Sequence, residues 1–94
     1  SLYDLIVSFE EVLSHARHTE TFSLEDESYT LDEVTAEIEK PILSAGKLPL
    51  MSVLTMRPTI LWIIVAFLAV LELINSGRIT FEKKGKDFLL KAQE

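Results

Sequence analysis

The sequence predicts a small α+β domain, in which three main helices precede a C-terminal β-hairpin. Apolar residues recur at helical spacing in the first part of the chain. Twelve consecutive apolar residues, Ile60 to Leu71, lie between Pro58 and Gly77, and two alternating segments follow them. A chain of 94 residues supports one core and therefore one domain, residues 1–94.

The first helix is predicted over residues 2–16, because its apolar residues are spaced by three and four with charged residues between them. These apolar residues are Leu2, Leu5, Ile6, Phe9, Val12, Leu13 and Ala16. Polar and apolar residues then alternate over residues 21–24, which predicts a short strand between the first two helices.

The second helix is predicted to begin at Thr30, where the sequence TLDE forms a capping box. The Thr30 hydroxyl would accept the amide three residues on, and Glu33 would reach back to the Thr30 amide. Pro41 has no amide hydrogen and disfavours a helical conformation at the preceding residue. We therefore expect this helix to end or kink near Glu39.

The third helix has sharper boundaries than the second. A loop at residues 46–49 and a short apolar turn at residues 50–54, which would cover the core, come before it. Pro58 suits the first turn of a helix, and Gly77 suits the left-handed residue just past its end. The helix is therefore predicted over residues 59–76.

The hairpin is predicted from two alternating segments around the sequence KKGKD, whose glycine suits a turn. Ile79 and Phe81 are the apolar residues of the first segment, and Phe88 and Leu90 are those of the second. The order helix, short strand, helix, helix, hairpin is typical of a winged helix, where the short strand joins the hairpin in one small sheet.

The long apolar run is too short to cross a membrane, since a spanning helix needs about 20 apolar residues. Glu72 ends the run, and polar residues follow at once. The start of the chain lacks the basic region of a signal peptide. The chain also has no cysteine, which suits a reducing compartment. We therefore expect a cytoplasmic protein without a membrane segment.

The third helix is apolar on all sides, which raises the question of what covers it. One stripe consists of Ile60, Ile64, Phe67, Leu71 and Ile74, and the opposite side carries Trp62, Val65, Ala69 and Leu73. Either the other elements wrap the helix completely, or one stripe is left for a partner. The partner could also be a second copy of the chain across a two-fold axis.

Nucleic-acid binding is the rival function for such a fold, but the charge distribution disfavours it. Residues 1–40 hold eleven acids against two bases, and the whole chain has a net charge of −6. The third helix offers Thr59, Glu72 and Asn75 rather than basic residues. Only the hairpin could meet phosphates, through Arg78, Lys83, Lys84, Lys86 and Lys91.

No catalytic or metal-binding pattern stands out in the sequence. Glu11, His15 and His18 could share one face of the first helix, but a third His and any Cys are missing from the chain. No nucleophile elbow is present, and the glycines are too isolated to cradle a phosphate. We therefore expect no enzymatic activity, no metal and no cofactor.

The stretch FLAVLELINSGRITFE, residues 67–82, resembles the C-terminal signature of the bacterial kleisin family ScpA, segregation and condensation protein A. In that family the third helix reads approximately TFLALLEL, and a strand of the type V-x-V-E follows a small linker. The matching residues are Phe67, Leu68, Ala69, Leu71, Glu72, Leu73, Ile79, Phe81 and Glu82. The stretch TLDEVTAEIEKPI is similar to the family's second helix. The chain departs from the family at Lys83, where Gln is usual, and in the last strand, where Asp87 and Phe88 replace Asp-Ile.

The resemblance implies the C-terminal winged-helix domain of a longer kleisin, which docks on the ATPase head of an SMC protein in chromosome condensation and segregation. The family's N-terminal domain, which binds the neck of the other SMC subunit, and its middle segment, which binds ScpB, are not in this sequence. The resemblance also implies a nucleoid-associated protein whose C-terminal domain does not read DNA specifically. By the family pattern the residues against the head are Phe67, Leu71, Ile74, Ile79 and Phe81.

Overall fold

Four helices and a three-stranded antiparallel sheet make up the described part of the chain, which is residues 1–18 and 28–93 of a computed structural model. The elements are α1 (Leu2–Arg17), α2 (Leu31–Ala45), β1 (Lys47–Pro49), α3 (Leu50–Leu54), α4 (Ile60–Asn75), β2 (Ile79–Lys84) and β3 (Asp87–Ala92). The predicted α+β class with a C-terminal hairpin is thus confirmed. The strand predicted at residues 21–24 lies outside the described residues.

The sheet has the strand order β1-β3-β2, so the third strand beside the hairpin comes from the segment between α2 and α3. This corrects the prediction of a loop at residues 46–49, because Lys47, Leu48 and Pro49 pair with β3. Leu48 of β1 and Phe81 of β2 both pair with Leu90 of β3, which places these three residues on the face toward the core. The hairpin turn is the predicted one: Lys84 pairs with Asp87, and Gly85 between them has a φ of +63°.

Helix α2 does not end near Glu39, which corrects the sequence prediction. It continues through Pro41 to Ala45 and ends at Gly46, whose amide donates to the Ile42 carbonyl at 2.8 Å. Pro41 forfeits one helical hydrogen bond. The apolar stripe nevertheless continues past it, because Ile42 is fully buried four residues after Ile38. Burial of such a side chain contributes about 1.5–3 kcal/mol, which is comparable with the cost of about 3 kcal/mol for a proline inside a helix.

The start of α2 also differs in detail from the predicted capping box. The Thr30 hydroxyl accepts the Glu33 amide at 3.2 Å, as expected. The Glu33 carboxylate, however, accepts from the Thr30 hydroxyl at 2.7 Å. The side chains of Thr30 and Glu33 therefore bond to each other at the cap.

Helix α4 has the boundaries that the sequence predicts. At its start the Thr59 hydroxyl accepts the Trp62 amide at 3.0 Å. At its end Gly77 adopts a φ of +76°, and its amide donates to the Ile74 carbonyl. The Arg78 amide donates to the Leu73 carbonyl at 2.9 Å. This pair of bonds is a Schellman motif, which satisfies the last carbonyls of the helix and turns the chain toward β2.

The core is built around α4, which contacts every other helix and β2. Helix α1 runs antiparallel to it, since Phe9 stacks on Phe67 with ring centroids 4.2 Å apart and Leu13 lies beside Ile60. The predicted apolar turn at residues 50–54 is the short helix α3, which buries Leu50, Val53 and Leu54. Among the described residues, no helix is both long and apolar enough to cross a bilayer.

Candidate partner-binding site

The two sides of α4 have different surroundings, although both are apolar. The inner side is buried by α1, α2, α3 and the sheet, and it consists of Trp62, Ile63, Ala66, Phe67, Ala69, Val70 and Leu73. The outer side is exposed or half-buried and consists of Leu61, Ile64, Val65, Leu68, Leu71, Glu72 and Asn75. The helix is therefore not wrapped on all sides by the described residues, and an apolar strip remains accessible to solvent.

The outer side follows the spacing of a coiled-coil seam. Its residues are separated by alternating steps of three and four, and they are Leu61, Ile64, Leu68, Leu71 and Asn75, which we call the outer seam. Leu68 lies at its centre and is 50% exposed. Because residues on this spacing lie along one line of a helix, the outer seam can meet a single extended element of a partner.

Two grooves flank the outer seam. The groove at the C-terminal half of α4 has a volume of about 690 Å³ and is lined by Leu2, Leu31, Leu68, Leu71, Glu72, Ile74 and Asn75. The groove at the N-terminal half, about 480 Å³, is lined by Leu13, Arg17, Ile60 and Ile64. Leu2 and Leu31 are 50% and 41% exposed and extend the apolar surface onto the first turns of α1 and α2. Together these residues form an exposed apolar surface along α4.

Two of the five residues predicted to contact a partner lie in this surface. Leu71 and Ile74 line the larger groove. Phe67 and Ile79, by contrast, are only 4% and 1% exposed and belong to the core, so neither is accessible to a partner as predicted. Phe81 is half-buried and packs edge-on against Phe88, with ring centroids 6.0 Å apart.

Leu68 was not among the predicted partner contacts, because the prediction used the stripe of the helix that contains Phe67. The sequence contained a signal for it, because Glu72 is the only charged residue within α4. A lone charge in an apolar helix marks the side that faces water. Leu68 lies one turn before Glu72 and Leu61 lies three turns before it, so the line through Glu72 identifies the outer side.

The other candidates from the sequence do not assemble into a chemical site. No group of three His, Cys, Asp or Glu side chains that could hold a metal forms within residues 1–18 and 28–93. His15 and Glu11 instead line a separate groove of about 340 Å³ together with Lys86 and Met51. His18 lies with a ring nitrogen 2.7 Å from the Ser14 carbonyl of its own helix.

The hairpin presents positive charge that is partly engaged within the domain. The Lys83 ammonium lies 5.3 Å from the centre of the Phe88 ring, and the Lys91 ammonium lies 3.6 Å from a Glu82 carboxylate oxygen. Arg78 pairs with Glu39 of α2 at 2.8 Å. The basic residues therefore do not form an uninterrupted positive surface.

Comparison of this chain with protein-family models, with curated proteins and with solved structures found no match. The geometry of the outer seam and its grooves is therefore the main evidence about function.

Proposed function

We propose that the chain is a kleisin-type winged-helix domain that docks on the ATPase head of an SMC protein through the outer side of α4. The element order from α2 onward supports the winged-helix assignment: helix, strand, short helix, helix, hairpin, with β1 added to the hairpin as the third strand. In this assignment α4 is the third helix of the winged helix, and α1 is an additional helix before it. The resemblance of residues 67–82 to the kleisin signature supports the choice of partner.

The observation that carries the proposal is the uncovered apolar strip centred on Leu68. Half-exposed Leu68 lines one groove together with Leu2 and Leu31, which are also exposed. Contiguous apolar surface of this kind on a small domain usually marks a protein contact site. The docking residues in this proposal are Leu68, Leu71 and Ile74, with Leu2 and Leu31 at the margin.

The polar residues on the outer side of α4 fit a protein partner better than DNA. Glu72 and Asn75 are the exposed polar side chains at its C-terminal half. A carboxylate in this position would repel phosphates, and α4 itself contains no Arg or Lys to read guanine. In the kleisin assignment, contacts with ScpB and association with the nucleoid belong to the longer protein and its complex.

The proposal is tested by the substitution Leu68→Arg in a pull-down with the cognate SMC head. Central apolar anchors of interfaces contribute about 2 kcal/mol or more, so we expect head binding to weaken by at least about 30-fold. The matched control is Leu43→Arg, since Leu43 is a 54% exposed leucine on α2 that does not line either groove.

Circular dichroism of both variants serves as the folding control. Unchanged head binding by the folded Leu68→Arg variant would contradict the docking surface. A DNA mobility-shift assay at about 150 mM salt distinguishes the rival function, because non-specific phosphate binding is already weak there. A sequence-selective shift by the parent chain, without any binding to the head, would favour a nucleic-acid-binding domain.

A further inference from the structure

We propose that two copies of this chain pair antiparallel through the outer seams of α4, across a two-fold axis at Leu68. The pairing uses the surface proposed for docking, but it does not depend on the identity of the docking partner. The occupant of the strip in the free protein is then a second copy of the chain.

The spacing of the outer seam suits this arrangement. Five residues at steps of three and four let each side chain pack between residues of a facing helix. The outer side of α4 has residues four and seven positions away from Leu68 in both directions, so an antiparallel copy can bring Leu68 against Leu68 of the second copy. Ile64 is then level with Glu72 and packs beside Leu71 of the second copy, and Leu61 lies opposite Asn75 at the edge of the contact. The apolar pairs are thus at the centre and the polar residue is at the margin, as in most interfaces.

The charges beside the seam select the antiparallel direction. Arg17 lines the groove at Ile64, and Glu72 lines the groove at Leu68 and Leu71. In an antiparallel pair, the level of Ile64 coincides with that of Glu72 of the second copy. Arg17 of each copy therefore faces Glu72 of the other, whereas a parallel pair would place like charges together.

Neither charged residue has an ion pair elsewhere in the described chain. The ion pairs of residues 1–18 and 28–93 involve the N-terminus, Arg57, Arg78 and Lys91 on the basic side. Arg17 and Glu72 are both exposed. They are therefore available for pairing across the dimer without losing an existing partner.

The extent of the seam predicts a weak and reversible dimer. A 16-residue helix is about 24 Å long, so its outer side alone offers less contact than the interfaces of stable dimers. Self-association and docking on a larger partner would then compete for the same strip. A partner that covers the strip would release the dimer into monomers.

Sedimentation of the chain alone, over a concentration series, tests the charge pairs. Arg17→Glu and Glu72→Arg should each weaken the dimer by roughly threefold to tenfold, because each change creates two repulsive contacts by symmetry. The double variant R17E/E72R restores opposite charges and should recover the parent's dissociation constant. Leu68→Glu should weaken the dimer more than tenfold. A parent chain that stays monomeric at about millimolar concentration, or a double variant as weak as the single ones, would overturn the proposal.

A single introduced cysteine tests the position of the axis. The chain has no cysteine, so mild oxidation of the Leu68→Cys variant can join two copies only at this position. We expect a covalent dimer from Leu68→Cys and little from Leu43→Cys, which is as exposed but off the seam. Equal yields from both variants would mean random collision and would exclude the two-fold pairing. No SMC head is present in either experiment. A negative result in both would therefore overturn the self-pairing but would not affect the docking proposal, which is tested by the pull-down.

Discussion

The inner and outer sides of α4 are chemically alike but differ in what they contact. On the inner side Trp62 and Phe67 are enclosed by α1, α3 and the segment just before α2, whereas on the outer side Leu68 is half-exposed. Hydrophobicity alone therefore does not distinguish a core residue from a contact residue in this helix. What distinguishes them is whether another element of the same chain covers the side chain.

The inner side also has polar and aromatic contacts that the outer side lacks. The Trp62 indole donates to the Val53 carbonyl at 3.0 Å, which ties α4 to α3. The Arg57 guanidinium lies 4.4 Å from the Trp62 ring centre and pairs with Glu37 of α2. Tyr29 packs edge-on against Trp62. These contacts fix the inner side to three neighbouring segments. Substitutions of inner-side residues should therefore mainly change the free energy of unfolding.

The neighbours Phe67 and Leu68 provide the strongest test of this difference. Phe67→Ala should lower the free energy of unfolding by about 3–5 kcal/mol, because it opens a cavity against Phe9. Leu68→Ala should change it by about 1 kcal/mol or less, since half of that side chain is already in water. Urea denaturation of both variants measures the two values. Equal losses would mean that the two sides are buried alike.

A smaller effect is expected at the start of α4, where Thr59 is 4% exposed. Thr59→Ala removes the hydroxyl that accepts the Trp62 amide, and it should cost about 1 kcal/mol in stability. Head binding and self-association of the folded variant should remain as in the parent, because Thr59 lies outside both grooves. Thermal denaturation and sedimentation together check this. A loss of either interaction without a loss of stability would extend the contact surface to the cap.

The smallest effect is expected on the hairpin. Replacement of Lys83, Lys84 and Lys86 by Ala should change head binding by less than about threefold, since exposed charges mainly affect association rate and salt dependence. A salt titration of head binding by the parent and the triple variant measures this. A loss comparable to that of Leu68→Arg would place the contact on the hairpin, and the outer side of α4 would then need another explanation.

Most of the fold could be predicted because its boundaries depend on local chemistry. Thr59 begins α4 through a cap bond and Gly77 ends it as a left-handed residue, and these need no knowledge of the rest of the chain. The hairpin is similarly local, since Gly85 supplies the turn between alternating segments. Where the extent of an element depends on contacts with residues far away in the chain, the sequence was less informative. Helix α2 passes Pro41 because Ile42 is buried by other elements.

The candidate site could be predicted only in part, for the same reason. Leu71 and Ile74 lie in the groove, but Phe67 and Ile79 are in the core. In a helix with almost no polar residues, periodicity does not indicate which side faces the core. That choice depends on where α1 packs, and the stacking of Phe9 on Phe67 is a long-range contact. Glu72 was the one local sign of the solvent side.

Trp62 also has a spectroscopic consequence, since it is the chain's one tryptophan. Its indole is fully buried, and a cation lies over its ring. Its fluorescence therefore responds to loss of the core packing, which would expose the indole to water and shift its emission to the red. A ligand that covers Leu68 leaves the indole in the same environment. Tryptophan emission is thus an optical probe of folding in this protein, and binding at the outer seam needs a dye or an isotope label on that side of α4.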